Sequence, residues 1–272
     1  MKFGFVVPGG DVDTLIDFAQ EIEAAGWDAV FVADGVYGTD AWISLAAIAV
    51  KTQRIRLGPL ITPPSRCRPW TLASQAATLD RLSGGRMILS VGLGAIDTGF
   101  DRVGEAIDRK TRAELLDESL EIITGFWSGE PFHHHGRHYT VDWDVPWSYR
   151  PVQSPRIPIW VVAAWPRRRS LERALSYDGV LPNRIGSGGS LSAPTPEDIA
   201  EVDAFVAEHR RDDSLFDIVV EGITPADDRE AAAKVTAYAD AGATWWIESM
   251  WDVPGGLDAA LHRVQQGPPE VR

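Results

Sequence analysis

The chain has 272 residues and carries 26 Lys and Arg against 39 Asp and Glu, a formal net charge of −13 at pH 7. Such an acidic surface repels a phosphate backbone on average, which argues against nucleic-acid binding. Hydrophobic residues make up 44% of the chain, as in globular proteins, and no apolar run approaches the ~20 residues of a membrane span. The first apolar run is too short for a secretory signal, so we expect a cytoplasmic protein.

Apolar stretches that suit strands alternate with helical patterns along the chain. The predicted strands cover residues 3–7, 29–33, 55–62, 87–91, 157–163, 179–181, 217–223 and 244–249. The predicted helices cover residues 12–25, 41–51, 72–82, 109–127, 168–176, 197–210, 229–241 and 257–265. Gly26 after the first helix and Gly84-Gly85 after the third are typical helix-ending residues.

Eight strand–helix alternations in a chain of this length predict a (β/α)₈ TIM barrel, whose typical size is ~250 residues. The competing interpretation is a doubly wound open sheet. That fold usually carries a Gly-rich phosphate loop after its first strand, and Pro8-Gly9-Gly10-Asp11 does not fit the GxGxxG pattern. We therefore expect a single domain over residues 1–272, with a mobile loop at residues 186–196.

In a TIM barrel the active site is built at the carboxyl ends of the strands, so the residues there are the candidates. They are mostly small, and the carboxylates among them are Asp34, Glu221 and Glu248. No GxSxG serine accompanies them, which disfavours a nucleophile-and-base hydrolase. A rim of small residues and backbone amides instead suits a flat aromatic ligand that carries phosphate.

The two carboxylates proposed as catalytic are Asp34 and Glu248. Asp34 would orient a cofactor or substrate group, although a strand-end Asp can equally well turn its own loop. Glu248 would exchange protons if its side chain pointed into the barrel, and would be structural if it pointed outward or paired with an Arg. Glu221 carries the same ambiguity.

Tryptophan is frequent, with 11 residues in the chain. Five of them, Trp165 included, fall at or near predicted mouth segments, and four of the five are candidates for binding an aromatic or hydrophobic substrate: Trp42, Trp70, Trp246 and Trp251. Two other features predict no site. The run His133-His134-His135 alternates between strand faces, so no metal is expected there, and the single Cys67 is expected to be a packed residue.

Five stretches of the sequence resemble the luciferase-like flavin-dependent monooxygenase family, which includes F420-dependent oxidoreductases. They are MKFGFVVPGG, AGWDAVFVAD, RIRLGPLITPPSRCRPWTLASQAATLDRLSGGRMILSVGLGA, RAELLDESLEIITGFWSGEPFHHHGRHYTV and SPRIPIWVVAAWPRRRSLERALSYDGVLP. The most specific piece is LDRLSGGR followed by VGLG, residues 79–86 and 91–94. The resemblance implies a barrel that binds FMN or coenzyme F420 at its mouth, and a β-hairpin at residues 130–142.

The resemblance also implies a set of cofactor-binding residues. A non-prolyl cis peptide bond behind the ring would fall at Pro59-Leu60, and Arg167, Arg168 or Arg169 would hold the phosphate. The remaining members of the set are Thr62, Gly92, Gly94, Ala164 and Trp165. Two positions depart from the F420-dependent enzymes: Gly35 stands where a His is usual, and Ala95 where a Glu is common.

These departures favour FMN narrowly over F420. The main functional hypothesis is therefore a flavin-dependent monooxygenase that acts on a small hydrophobic or aromatic substrate. An F420-dependent reductase or dehydrogenase is the alternative. A non-redox barrel isomerase or hydrolase using Glu248 and Asp34, or a binding protein without turnover, is a further one. A separate flavin reductase and a homodimer stay open as partners.

Overall fold

The structure, a computed structural model, describes residues 1–95, 99–186, 191–225, 228–251 and 255–270. Strands and helices alternate as the sequence predicts. The elements are β1 (Lys2–Val7), α1 (Val12–Ala24), β2 (Ala29–Val32), α2 (Ala41–Lys51), β3 (Arg56–Pro59), α3 (Pro69–Ser83), β4 (Leu89–Val91), α4 (Arg109–Ser128), β5 (Phe132–His135), β6 (Thr140–Trp143), β7 (Ile159–Trp165), α5 (Arg168–Ala174), β8 (Gly179–Ile185), β9 (Leu191–Ser192), α6 (Pro196–His209), β10 (Asp217–Gly222), α7 (Asp228–Asp240), β11 (Trp245–Ser249) and α8 (Gly256–Gln265).

Eight of the strands pair in parallel in the order β3-β2-β1-β11-β10-β8-β7-β4. Parallel bridges between Leu57 and Met87 and between Thr62 and Val91 join β3 to β4 and close the ring. The two strands approach so closely that a Cβ on Gly58 would overlap the carbonyl oxygen of Ile88. The predicted (β/α)₈ barrel is confirmed, and the open sheet is excluded.

Four helices begin directly after a polar residue that caps their first turn. The side chains of Asp11, Asp40, Asp108 and Thr195 accept hydrogen bonds from backbone N–H groups in the first turns of α1, α2, α4 and α6. These acceptors satisfy donors that the helix itself leaves unpaired. They fix where each helix leaves its loop, and three of these loops follow barrel strands at the carboxyl end.

The barrel interior is filled at its amino-terminal end by two indoles. Trp160 and Trp245 contact each other edge to face, with ring centroids 5.0 Å apart, and both are buried. Trp160 Nε1 donates to Asp217 Oδ2 at 3.1 Å, and Phe31 packs against the same indole. Because these rings fill the lower end, a ligand can enter the barrel only from the carboxyl-terminal mouth.

The LDRLSGGR segment lies at the amino-terminal end of β4, opposite the mouth. Arg86 donates to the carbonyl oxygens of Ala49 and Ile55, at 2.7 and 2.9 Å, and to the hydroxyl of Thr52 at 2.9 Å. The buried Asp80 accepts from the backbone N–H of Val152 and from other donors in the same segment. The LDRLSGGR half of the most specific piece of the resemblance therefore holds the scaffold together and lies away from the mouth, whereas the VGLG half follows into it.

Two regions outside the barrel strands were also predicted. Strands β5 and β6 pair antiparallel as a hairpin over residues 132–143. Within the predicted mobile loop at 186–196, residues 187–190 lie outside the described residues. Leu191–Ser192 pairs antiparallel with Arg184–Ile185, which extends β8 four residues past its predicted end at Leu181. Across the described residues, no helix is long and apolar enough to cross a membrane.

Candidate functional site

The floor of the mouth is apolar. Ile61 and Val162 pack on the interior cluster of the barrel and remain partly exposed towards the mouth. A Cβ on Gly92 would lie 2.7 Å from Ile61 Cδ1 and 3.1 Å from Val162 Cβ. Gly92 therefore serves close packing of these two side chains, which together present an aliphatic surface.

The cis peptide bond predicted at Pro59-Leu60 lies one residue later, between Leu60 and Ile61. The reason is the strand ladder, which extends beyond Pro59: Leu60 N donates to Val32 O at 2.9 Å. Pairing with β4 continues on the other side of the cis bond, where Thr62 N donates to Ser90 O at 3.0 Å. Leu60 is buried in the interior, whereas Ile61 is partly exposed.

One polar cluster at the mouth is centred on Asp34, directly after β2. Thr62 Oγ1 donates to Asp34 Oδ2 at 2.7 Å, and Arg66 Nη1 lies 3.5 Å from Asp34 Oδ1. Arg66 also donates to the carbonyl oxygens of Asp34 and Gly35, at 3.0 and 2.7 Å. Burial raises the pKa of Asp34, and Thr62, Arg66 and Trp42 oppose the shift. The cluster joins the ends of β2 and β3.

A second cluster fixes the loop after β4. The guanidinium of the buried Arg112 donates to the carbonyl oxygens of Leu93 and Gly94, both at 2.9 Å. Arg66 and Arg112 each lie 5.9 Å from the ring centroid of the buried Phe100. Gly94 has a φ of +77°, and a Cβ there would lie 2.6 Å from Phe100 Cζ. Only glycine fits this turn without strain.

Two buried polar atoms of these loops, Ser65 Oγ and Arg112 Nε, have no hydrogen-bond partner in the described structure. Buried polar atoms are nearly always paired, so these two are candidates to meet a ligand. Arg66, Arg112 and Ser65 were all missed by sequence analysis. The available signal for Ser65 and Arg66 was their position shortly after the third predicted strand, residues 55–62. Arg112 lies within α4, far along the chain from the end of β4, and gave no such signal.

The cofactor-binding residues predicted at the end of β7 lie in different surroundings. The hydroxyl of Ser170 accepts from the backbone N–H of Ala164 at 3.0 Å, and Trp165 is partly buried beside the core. Arg168 lies against Phe205, 5.6 Å from its ring centroid, and is 2.9 Å from His209 Nε2, so it faces α6. Arg167 is exposed, and the described residues offer its side chain no partner.

Glu221 is the carboxylate that points into the mouth. Val219 belongs to the barrel interior and Val220 to the helix-facing core, so strand alternation directs Glu221 inward. It lies at the carboxyl end of β10 and is partly buried. Burial raises the pKa of Glu221, and a side-chain hydrogen bond with Trp251 partly offsets the shift.

Glu248, predicted as catalytic, points the opposite way. It is fully buried between the barrel and the helix layer, where it accepts from Thr224 N at 2.7 Å and from Trp246 Nε1 at 3.1 Å. Arg263 Nη2 lies 3.7 Å from Glu248 Oε2. This is the outward, Arg-paired alternative, so Glu248 is a structural residue and is not part of the mouth.

The four tryptophans predicted to bind substrate do not lie together. Trp246 faces the helix layer, where its ring centroid is 5.4 Å from that of Tyr238. Trp42 and Trp70 line an apolar groove of about 990 Å³ between α2, α3 and the hairpin, on the outside of the barrel. Trp251 is partly exposed and contacts Glu221. Of the four, Trp42 and Trp251 are therefore the ones that influence carboxylates of the mouth, Asp34 and Glu221 respectively.

The histidine-rich hairpin pairs with carboxylates. His134 Nε2 lies 3.4 Å from Glu118 Oε2, and His138 Nε2 lies 3.0 Å from Glu114 Oε2. Among the residues that the structure describes, no group of three or more His, Cys, Asp or Glu side chains has a metal-binding arrangement. The contacts of these histidines tie the hairpin to α4.

Known proteins are similar to this chain over much of its length. A curated 5,10-methylenetetrahydromethanopterin reductase from Archaeoglobus fulgidus is 29% identical over 250 residues, which is 89% of this chain and 71% of the relative. An F420-dependent glucose-6-phosphate dehydrogenase from Microbacterium testaceum is 31% identical over 177 residues, covering 61% of this chain and 52% of that protein.

Among solved structures, the coenzyme F420-dependent tetrahydromethanopterin reductase from Methanopyrus kandleri superposes with a TM-score of 0.79 at 20% identity, covering 98% of each chain. This similarity supports the fold. The family profile described as luciferase-like monooxygenase matches residues 1–267, nearly the whole sequence. The chain therefore belongs to the luciferase-like monooxygenase family and is an oxidoreductase of that class.

Proposed function

We propose that the protein is an F420-dependent oxidoreductase that transfers hydride between the deazaflavin and a small organic substrate. The observation that carries the proposal is the mouth itself: an aliphatic floor of Ile61 and Val162, closed from below and flanked by the Asp34 cluster. The named functions of the relatives favour F420 over FMN, in spite of Gly35 and Ala95.

The residues present fit such a cofactor. A planar heterocycle needs an apolar surface to lie on, and the partly exposed faces of Ile61 and Val162 provide one. Its anionic tail needs donors, and the buried, unpaired Ser65 Oγ and Arg112 Nε supply two. Arg167 is exposed at the end of β7 and adds a cation in a protein with a net charge of −13.

Bound F420 would supply the two-electron, hydride-transfer chemistry. The chain's own part is placement. Asp34 is held by Thr62 and Arg66 and would orient a polar group at the ring edge. Ile61 and Val162 would support the ring face and keep water from it.

Side-by-side titration of the purified protein with oxidised F420 and FMN, followed by quenching of tryptophan emission, tests the proposal. We expect saturable F420 binding at micromolar concentrations and at least about tenfold weaker FMN binding, a difference of ~1.4 kcal/mol. Tighter FMN binding would support the monooxygenase alternative. Failure of both ligands to bind at hundreds of micromolar would refute a redox cofactor at this mouth.

A matched pair of variants locates the anionic tail. Arg167→Ala removes the exposed cation at the mouth, whereas Arg54→Ala removes an exposed cation before β3, at the opposite end of the barrel. We expect the first variant to weaken F420 binding severalfold and the second to leave it unchanged. Equal effects would show that binding responds only to net charge.

A further inference from the structure

We infer that Glu221 is the residue that supplies the proton accompanying hydride transfer, with Trp251 as its positioning partner. The inference rests on the proposed function and adds to it a proton-transfer residue that the resemblance does not supply. Glu221 follows Val219 on β10 by two residues, and Val219 is buried in the barrel interior. The Glu221 carboxyl group therefore lies on the mouth side of the interior core, next to Val219 on the same face of β10.

The strands on both sides of β10 place uncharged residues beside this carboxyl group. On β8, Leu181 belongs to the interior, so Asn183 shares its side of the sheet. On β11, Ile247 pairs in register with Glu221 and is interior, so Ser249 shares that side. A carboxyl group in such surroundings is disfavoured as a carboxylate, because burial removes water and none of the described residues contributes a compensating cation.

Four charged groups on the adjoining elements, among the described residues, have partners away from Glu221. Glu248 on β11 and Lys234 on α7 lie in the helix-facing layer, where Lys234 Nζ is 5.5 Å from the Trp246 ring. Asp217 begins β10 and bonds to Trp160 at the far end of the barrel. Arg184 on β8 pairs with Asp198. Among the described residues, Trp251 is the side chain that opposes the effect of burial on the pKa of Glu221, which makes it the candidate positioning partner.

The chemistry of hydride transfer calls for such a group. Reduction of a carbonyl or imine would place hydride, which bound F420 would supply, on the carbon, and the π electron pair of the C=O or C=N bond would move to the heteroatom. That heteroatom must then receive one proton. Neutral Glu221 would give up this proton and become a carboxylate, and in the oxidative direction the carboxylate would accept it. Two electrons and two hydrogen nuclei are transferred in all.

Infrared spectroscopy of the protein, without cofactor, tests the proton directly. We expect the carbonyl stretch of a protonated carboxyl group near neutral pH in the wild type, and its loss in Glu221→Gln. The matched control is Glu208→Gln on α6, where the carboxylate is exposed, and this variant should keep the band. Absence of the band in the wild type, or its persistence in Glu221→Gln, would overturn the inference.

Binding and turnover then separate this inference from the proposed function. Glu221→Gln should bind F420 within about threefold of the wild type, because the amide keeps the side-chain shape. With carbonyl and imine probes such as cyclohexanone, its kcat should fall at least a hundredfold with KM little changed, and Glu221→Asp should recover part of it. Wild-type kcat in Glu221→Gln would refute the proton role. If the wild type did not bind F420, the proposed function would be refuted. The infrared band would still decide whether Glu221 carries a proton.

Discussion

Thr62 Oγ1 lies 2.7 Å from Asp34 Oδ2, so a hydroxyl at the end of β3 holds the carboxylate at the end of β2. Burial raises the pKa of Asp34, and the hydrogen bond from Thr62 is the largest of the contributions that oppose this rise. Thr62 therefore helps to keep the Asp34 carboxyl group charged.

Thr62→Val should raise the pKa of Asp34 further, because the carboxylate loses a donor that stabilises its charged form. The folded state then favours the protonated acid more strongly. The contribution of protonated Asp34 to the stability of the folded variant is complete below the unfolded pKa of about 3.9. This contribution is lost as the pH rises through the higher folded pKa. Carbon-13 NMR of labelled aspartate in the two proteins measures the shift. An unchanged titration of Asp34 would show that the hydroxyl does not bear on its charge.

Trp251→Phe should raise the pKa of Glu221. Burial is the main cause of its raised pKa, and the bond with Trp251 partly offsets it, so removing the donor leaves burial unopposed. The infrared band of the protonated acid should then persist to higher pH than in the wild type. Trp143→Phe, which changes a partly exposed indole on the hairpin, is the control and should not move the band. A downward shift in Trp251→Phe would contradict the assigned contact.

Arg86→Lys should destabilise the fold although it keeps the charge. The guanidinium reaches the carbonyl oxygens of Ala49 and Ile55 and the hydroxyl of Thr52 at once, and a single ammonium cannot reproduce that fork. We expect a loss of about 2 kcal/mol in the free energy of unfolding, measured by urea denaturation. Arg54→Lys, at an exposed position, is the control and should lie within about 0.5 kcal/mol of the wild type.

The barrel could be predicted from sequence because its signal is periodic: apolar strands alternate with amphipathic helices over the whole chain. Asp34 could be placed at the mouth for a related reason, since it directly follows a strand. The direction of Glu221 and Glu248 could not. Alternate residues of a barrel strand face the interior and the helix layer. Both sets are apolar on these two strands, so hydrophobicity does not show which set faces the interior. Only the register of β10 and β11 separates the two carboxylates.

The cationic part of the mouth was harder to predict for another reason. Arg66 and Arg112 bind backbone carbonyl oxygens, and any residue can offer a carbonyl, so their partners leave no pattern in the sequence. The positions of Trp42 and Trp70 in the sequence predicted the mouth, but their side chains lie elsewhere. Each lies in the first turn of a helix that follows a mouth loop, yet its side chain contributes to the groove outside the barrel.

Glu118→Gln should loosen the hairpin in a pH-dependent way. Burial alone would raise the pKa of Glu118, but backbone N–H groups of His138 and Tyr139, together with His134 and Arg137, outweigh it and lower the pKa. The stabilisation by the carboxylate is therefore complete above the unfolded pKa of about 4.3 and is lost as the pH falls through the lower folded pKa. We expect a cost of about 1–3 kcal/mol at pH 7 that shrinks below pH ~4, measured by denaturation at both pH values. A cost independent of pH would contradict this role.

Glu248→Gln and Asp34→Asn should have opposite effects on stability and on cofactor binding. Glu248 is fully buried against Arg263, and neutralising it leaves the guanidinium without its charge partner, so we expect a loss of about 3 kcal/mol in the free energy of unfolding. Because Glu248 faces the helix layer, F420 affinity of the folded variant should stay within about threefold of the wild type.

Asp34→Asn removes a carboxylate whose pKa burial already raises, so it should cost little stability. It should, however, weaken F420 binding, since Asp34 lies at the mouth with Thr62 and Arg66. Denaturation and fluorescence titration of both variants measure the two effects. If Glu248→Gln lost cofactor affinity while keeping its stability, the division between scaffold and mouth drawn from the strand register would be wrong.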